Sequence, residues 1–307
     1  MTLHLLFHRT LVFVAVLAAT AGLFQTGCGK RESGGAGSGA GKVTIQNKGS
    51  DTMVNLAQAW AEEYKKAAPA VDIEVSGGGS GQGIAALIKG TIDMANCSRN
   101  MKPQEIEQAK KNTGKEPKEF VVGHDALAVY VHKDNPINEI TFEQLADIYA
   151  EGGKITKWSE LGVKLAGGDD IVRVSRQSSS GTYEFFREHV LNKKDFKLGS
   201  RDMNGSKEVV ELIAGTPTAI GYSGMGYATA GVKMLKVSAK AGQPATAPTS
   251  ENALSGAYPI ARSLLCYTLG APEGDLKKYL DWILSATGQK IVGDCGYVPN
   301  PPEKHTK

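Results

Sequence analysis

From Val43 onward the chain alternates short β-rich runs with amphipathic stretches, and this alternation limits its possible folds more than any other feature. VTIQN (43–47) reads as a strand. Leu56, Trp60 and Tyr64 recur every fourth residue and predict a helix over about 54–67, ended by Pro69. VDIEV (71–75) alternates as a strand does, IAALIK (84–89) is helical and TIDMANC (91–97) extended. Pro103 suits the first turn of a helix running to about 111. FVVGHDALAVYVH (120–132) is the longest β-rich run. Thr141-Phe-Glu-Gln144 fits a capping box for a helix through Tyr149. IVRVS (171–175), AIGYS (219–223), VKMLKVS (232–238) and YPIARSLLCYTL (258–269) are strands, and 182–191 and 206–214 are helices. Asp275 is read as the cap of a final helix with Leu276, Tyr279, Leu280 and Ile283 facing inward.

Such alternation predicts an α/β fold with mostly parallel sheets. Two sheets in a body of this length make two lobes. The run 120–132 exceeds the usual strand of about 5–6 residues. One explanation is a strand that leaves one lobe and enters the other, with 258–269 returning; a single long edge strand is the alternative. On the crossing scheme, 43–131 plus 256–307 form lobe 1 and 132–255 form lobe 2.

The first 27 residues differ from the body. Arg9 is their only charged side chain, and LVFVAVLAATAGLF (11–24) is an apolar run of fourteen residues. That is too short to span a hydrocarbon core of about 30 Å as a helix. A weakly basic start, a short apolar run and then small residues read as a secretory signal. The run ends Gln25-Thr26-Gly27-Cys28, which resembles a bacterial lipobox with Cys28 as the lipidated residue, although Gln25 stands where Leu is usual. GKRESGGAGSGAGK (29–42) has six Gly and no bulky apolar side chain. It cannot bury surface to offset its entropy, so it is a tether with a coil reach of about 20 Å. The expected product is an exported lipoprotein facing the periplasm or cell exterior. The formal charge of the whole chain is only +3, which argues against nucleic acid and against electrostatic membrane binding.

The chemistry lies in a recurrence. Gly49-Ser50-Asp51-Thr52-Met53, Gly77-Gly78-Gly79-Ser80-Gly81-Gln82-Gly83 and Arg176-Gln177-Ser178-Ser179-Ser180-Gly181-Thr182 each separate a strand from a helix. A helix start offers unpaired N–H groups and partial positive charge. Gly admits a ligand close to the backbone, and Ser or Thr adds a hydroxyl. One such turn is an ordinary cap. Three turns, one carrying Arg176, suit a small tetrahedral anion if the C-terminal sheet edges face one cleft. Competing chemistries lack their motifs. There is no G-x-x-x-x-G-K-[ST], no G-x-S-x-G elbow, no H-E-x-x-H and no C-x-x-C. No cofactor or metal is expected.

Seven segments in order resemble the phosphate-binding proteins of bacterial phosphate ABC transporters, the PstS-like type II periplasmic binding proteins: GSDTM, GGGSGQGIAALIKGTIDMANCSR, HDALAVYVHKDNP, FEQLADIYAEGGKITKWSEL, VSRQSSSGTYEFF, AIGYSGMGY and GYVP. The resemblance covers about 43–300. It implies a Venus-flytrap fold of two α/β lobes joined by crossing strands, no enzymatic activity, and delivery of phosphate to a membrane permease by a monomer. Carried over residue by residue, it implies ligand contacts from Thr52, the Met53 amide, Ser80, Arg176, Ser180, Gly181 and Thr182, with Arg99 as a second cation. It also implies a carboxylate that accepts the proton of phosphate and repels sulfate. The type member of the family carries an Asp near position 98, where this chain has Ser98, in a Ser-Arg pair that many members share. Asp125, inside the presumed crossing strand, is the first candidate, Asp51 the second and Asp93 the third.

Other readings are another oxyanion (sulfate, molybdate or tungstate), a phosphohydrolase using Ser80 or Ser180 with His124, and an adhesive or signalling protein on the same scaffold. Cys97 is expected to be a small buried residue. For Cys266 and Cys295, a disulfide and free thiols are both open.

Overall fold

The computed structural model describes residues 42–302. The export segment 1–27, Cys28 and the tether up to residue 41 lie outside the described residues.

The strands are β1 (Val43–Gly49), β2 (Val71–Ser76), β3 (Met94–Cys97), β4 (Pro117–His132), β5 (Glu139–Thr141), β6 (Val172–Arg176), β7 (Arg201–Met203), β8 (Ala219–Gly224), β9 (Val232–Met234), β10 (Lys236–Ser238) and β11 (Ala261–Leu269). The helices are α1 (Val54–Ala67), α2 (Ser80–Ile88), α3 (Pro103–Thr113), α4 (Phe142–Tyr149), α5 (Gly181–His189), α6 (Ser206–Ala214), α7 (Ser250–Leu254), α8 (Gly274–Leu284) and α9 (Ala286–Asp294).

Most strands form one sheet in the order β2-β1-β3-β11-β4-β8-β6-β7, with β9 also on β4. The pairs at the two ends of the sheet are parallel, β1 with β2 and β3, and β6 with β7 and β8. The two long strands in the middle, β4 and β11, run antiparallel to all their neighbours. β4 changes partner along its length. Pro117–Ala126 pairs with β11, and Leu127–Val131 pairs with β8. One strand thus belongs to both halves of the sheet.

Helix faces follow the apolar spacing. Leu56, Trp60 and Tyr64 of α1 are buried with Tyr279, Leu280 and Ile283 of α8. Trp60 also donates its indole N–H to the Gly288 carbonyl, at 2.9 Å. On the opposite face, Ile84 and Leu87 of α2 pack with Cys97, Met101 and Leu265. At the other end of the sheet, Leu145, Ile148 and Tyr149 of α4 and Phe186 of α5 pack against Leu127, Val129 and Tyr222. The capping box of α4 forms as its sequence predicts. Thr141 Oγ1 accepts the Gln144 amide at 3.2 Å, and Gln144 Oε1 accepts the Thr141 amide at 2.9 Å.

Three local readings change. The run 232–238 is two strands, not one. At buried Leu235, whose amide donates to the Val129 carbonyl, the chain passes from β9 beside β4 to β10, which pairs with β5 in a separate two-stranded sheet. Asp275 does not cap α8. Glu273 holds that position without a side-chain cap, and Asp275 lies in the first turn, paired with Lys278. The last helix is α9, opened by Ser285, whose Oγ accepts the Gly288 amide. Cys97, Cys266 and Cys295 are free thiols, and Cys266 Sγ donates to Asn96 Oδ1 at 3.2 Å. Cys97 is fully buried, as a small apolar residue would be.

Candidate functional site

Each turn follows the C-terminal end of a strand and opens a helix: Ser50–Met53 after β1, Gly77–Gly79 after β2 with its hydroxyl supplied by Ser80 at the start of α2, and Gln177–Ser180 after β6. β1 and β2 lie in one half of the sheet and β6 in the other, yet the three turns meet. Thr52 Oγ1 lies 2.8 Å from Thr182 Oγ1. The Gly81 amide donates to the Ser179 carbonyl at 2.9 Å, and Ser179 Oγ donates to the Gly78 carbonyl at 3.0 Å. Ser80 Oγ accepts the Ser98 amide at 3.0 Å and sits 3.3 Å from Ser98 Oγ, which in turn accepts from Ser50 Oγ at 3.0 Å. Ser180 caps α5, accepting the amides of Thr182 and Tyr183. Ser50, Thr52, Ser80, Ser98, Ser180 and Thr182 are all buried.

The glycines allow this approach. Gly79 has φ +96°, and a Cβ there would meet the Ser179 carbonyl oxygen at 2.4 Å. A Cβ on Gly181 would lie 2.3 Å from Ser80 Oγ and 2.8 Å from Ser98 Oγ. As first residues of α2 and α5, Ser80 and Gly181 have no carbonyl one turn back for their amides. Met53 is buried beside Thr52, but its amide is already bonded to the Ser50 carbonyl at 3.0 Å.

Arg176 ends β6, is fully buried and reaches the first turn through Asp51. Its Nη1 donates to Ser206 Oγ at 2.9 Å, and Nη2 donates to Asp51 Oδ2 at 3.2 Å and to the Asn204 carbonyl at 3.1 Å. Its buried Nε has no partner among the described residues. Burial pulls the Arg176 pKa down and Asp51 works against that. Burial likewise raises the Asp51 carboxyl, opposed by the Gly78 amide and by Arg176.

Arg99 does not join the cluster. Its guanidinium forms two 2.8 Å bonds to the carboxylate of Glu105, at the start of α3. A different arginine, Arg262, which was not among the sequence candidates, reaches the hydroxyls instead. It was legible in outline, as the only charged side chain within YPIARSLLCYTL. An arginine inside a buried strand needs partners there. Arg262 Nε and Nη2 both donate to Asp125 Oδ2, at 2.9 and 2.7 Å. Nη2 also lies 3.1 Å from Thr182 Oγ1 and 3.5 Å from Thr52 Oγ1. Nη1 donates to the Ser98 carbonyl at 3.2 Å.

The carboxylates change standing accordingly. Asp125 is fully buried on β4, directly across from Arg262 on β11. Its Oδ2 accepts both Arg262 bonds and its Oδ1 accepts the Met225 amide at 2.9 Å. It therefore faces the hydroxyls through Arg262 rather than as a free acceptor. Asp51 is bonded to Gly78 and Arg176. Asp93 is exposed, accepts the Gln46 amide, and is not part of the cluster. Among the described residues neither Ser80 nor Ser180 is hydrogen-bonded to His124.

Set against known proteins, the family model of the PBP superfamily domain matches residues 34–287. The phosphate-binding protein PstS of Pseudomonas aeruginosa is 38% identical over 268 residues, which is 84% of this chain and 83% of that protein. PstS of Bacillus subtilis is 33% identical over 270 residues, covering 87% and 84%. The crystal structure, with bound phosphate, of a substrate-binding protein from Clostridium perfringens superposes with a TM-score of 0.74 at 31% identity, covering 84% of this chain and all of that one. The fold is that of a two-lobed, mixed α/β binding protein. The chain belongs to the PBP superfamily and, within it, to the phosphate-binding PstS proteins.

Proposed function

We propose that this protein binds inorganic phosphate between its three hydroxyl-bearing turns and delivers it to an ABC-type permease, without enzymatic activity. The observation that carries this reading is the buried Arg176, with an unpartnered Nε, among hydroxyls brought together from both halves of the sheet. A helix-start amide, a hydroxyl and a guanidinium are the donor types an oxyanion takes up. Thr52, Ser80, Ser180, Gly181, Thr182 and Arg176 are the assigned contacts, with Met53 as a flanking residue of the first turn. The P. aeruginosa and B. subtilis relatives carry the name phosphate-binding protein, which favours phosphate over other oxyanions.

The two-lobe division read from the sequence, 43–131 plus 256–307 and 132–255, is kept in outline, with the crossing moved to Ala126–Leu127, where β4 exchanges β11 for β8. The change of partner along β4 supports a strand passing from one to the other. Among the described residues no helix is long and apolar enough to cross a membrane. Attachment is assigned to lipid on Cys28 after removal of residues 1–27, and the protein acts as a monomer anchored to a membrane and facing the periplasm or cell exterior. Labelling with radioactive palmitate should mark the wild type and not Cys28→Ser.

Calorimetric titration tests the ligand. Heat with phosphate and much weaker binding of sulfate is the expected result. No binding of phosphate, or tighter binding of sulfate, molybdate or tungstate, would defeat the assignment.

A further inference from the structure

Arg262 and Asp125 form a pair that the three-turn scheme does not use. They lie opposite each other on the two long strands, and both are essentially buried. A buried ion pair gives weak net stability, because desolvation of both charges offsets their attraction. Its geometry therefore calls for another explanation. Nη2 of Arg262 carries two hydrogens. One is taken by Asp125 at 2.7 Å, and the other side of the nitrogen faces Thr182 Oγ1 at 3.1 Å and Thr52 Oγ1 at 3.5 Å. Those two hydroxyls come from the start of α5 and the turn before α1, in opposite halves of the sheet. The guanidinium carbon sits 5.4 Å from the centre of the Phe185 ring, so packing and Asp125 both fix its direction.

We propose that Arg262 is a phosphate-binding residue, donating from Nη2 to the anion held by Thr52 and Thr182, and that Asp125 is its positioning residue rather than the acceptor of the phosphate proton. The proposal rests on the phosphate reading above. Two arginines then reach the ligand, Arg176 from β6 and Arg262 from β11. Each is matched by one carboxylate, Asp51 or Asp125. The cluster is formally neutral before the ligand enters. Its attraction for an anion comes from aimed N–H and O–H groups rather than from excess charge. Ser98, in place of a carboxylate, fits the same scheme, because its hydroxyl either donates to an anion or accepts from one.

The test is the double variant Arg262→Gln with Asp125→Asn. It removes both charges and leaves two amides able to bond each other, so neither charge is buried alone. Phosphate and sulfate are titrated into wild type and variant, with thermal melts confirming folding. Phosphate affinity is expected to fall by about tenfold or more, the size of a lost charge-assisted hydrogen bond. The ratio of phosphate to sulfate affinity is expected to stay the same. Phosphate affinity equal to wild type would reduce Arg262 to a structural role. A ratio shifted toward sulfate would make Asp125 the proton acceptor after all. If the double variant does not fold, Arg262→Lys keeps the charge but loses the planar fork, since one ammonium cannot hold Asp125 and reach the ligand in the same way. Its phosphate affinity should also drop, and an unchanged value overturns the proposal. Wild type that binds no phosphate would defeat the functional reading itself, a failure the wild-type arm separates from the others.

Discussion

Two ion pairs join the same two halves of this molecule. Lys102, at the start of α3, reaches Glu184 of α5 at 2.6 Å. Arg176 reaches Asp51 at 3.2 Å. By distance the first looks stronger. By burial the order reverses, because the Lys102 side chain is 45% exposed and that of Arg176 is 0% exposed. An exposed pair is screened by water and loses side-chain entropy, and it contributes about 0–1 kcal/mol. A buried partner cannot be removed without leaving its mate uncompensated. The exposed pair can therefore be lost at little cost, whereas the buried one cannot.

Breaking the buried side of this comparison should have the largest effect. Arg176→Ala leaves Asp51 without its cation, and should cost about 3–5 kcal/mol in urea unfolding as well as measurable phosphate binding. Gly181→Ala places a Cβ 2.3 Å from Ser80 Oγ. It should weaken phosphate by about fivefold or more, in the range of about 1–3 kcal/mol for overpacking, with most of the loss in titration rather than in melting of the separate cores. Thr182→Val removes one hydroxyl at nearly constant shape, and should lower affinity by about fivefold, or about 1 kcal/mol. Lys102→Ala on the rim should change affinity by less than about threefold, and less still at high salt.

Acid titration sharpens the contrast further. At Glu105 burial pushes the carboxyl up, but Arg99 and the Lys102 amide outweigh it and hold the pKa below its ordinary 4.5. A lowered folded-state pKa gives stability that is present above 4.5 and lost as pH falls through the lowered value. Asp51 is raised, so its effect has the opposite sign. Its contribution is present below its ordinary 3.8 and is lost as pH rises through the raised value. Unfolding free energies from urea titrations across the acid limb should therefore fall less in Glu105→Gln than in wild type, by under about 1 kcal/mol because the pair is partly exposed.

The sequence disclosed the elements and the turns better than the pairing. Helix α1 was legible because Leu56, Trp60 and Tyr64 repeat at helical spacing, and α4 because its capping box is local. The break at Leu235 was not, because it depends on β4 and β5, far away along the chain. The same limit governs the site. Turns at helix starts are written in a few consecutive residues, so the hydroxyls of Thr52 and Thr182 can be picked out locally, and these two lie side by side. Arg99 and Arg262 show where local reading fails. Arg99 sits beside Ser98 but turns to Glu105, six residues on. Arg262 lies 210 residues from Thr52 and is brought to it only by the register of β11 on β4.

A crystal structure of the protein with bound phosphate tests the central claim most directly. One phosphate is expected within hydrogen-bond distance of the Thr52, Ser80, Ser180 and Thr182 hydroxyls and of both Arg176 and Arg262, with Asp125 still bonded to Arg262. Phosphate bound elsewhere, or touching the turns of only one half of the sheet, would contradict it.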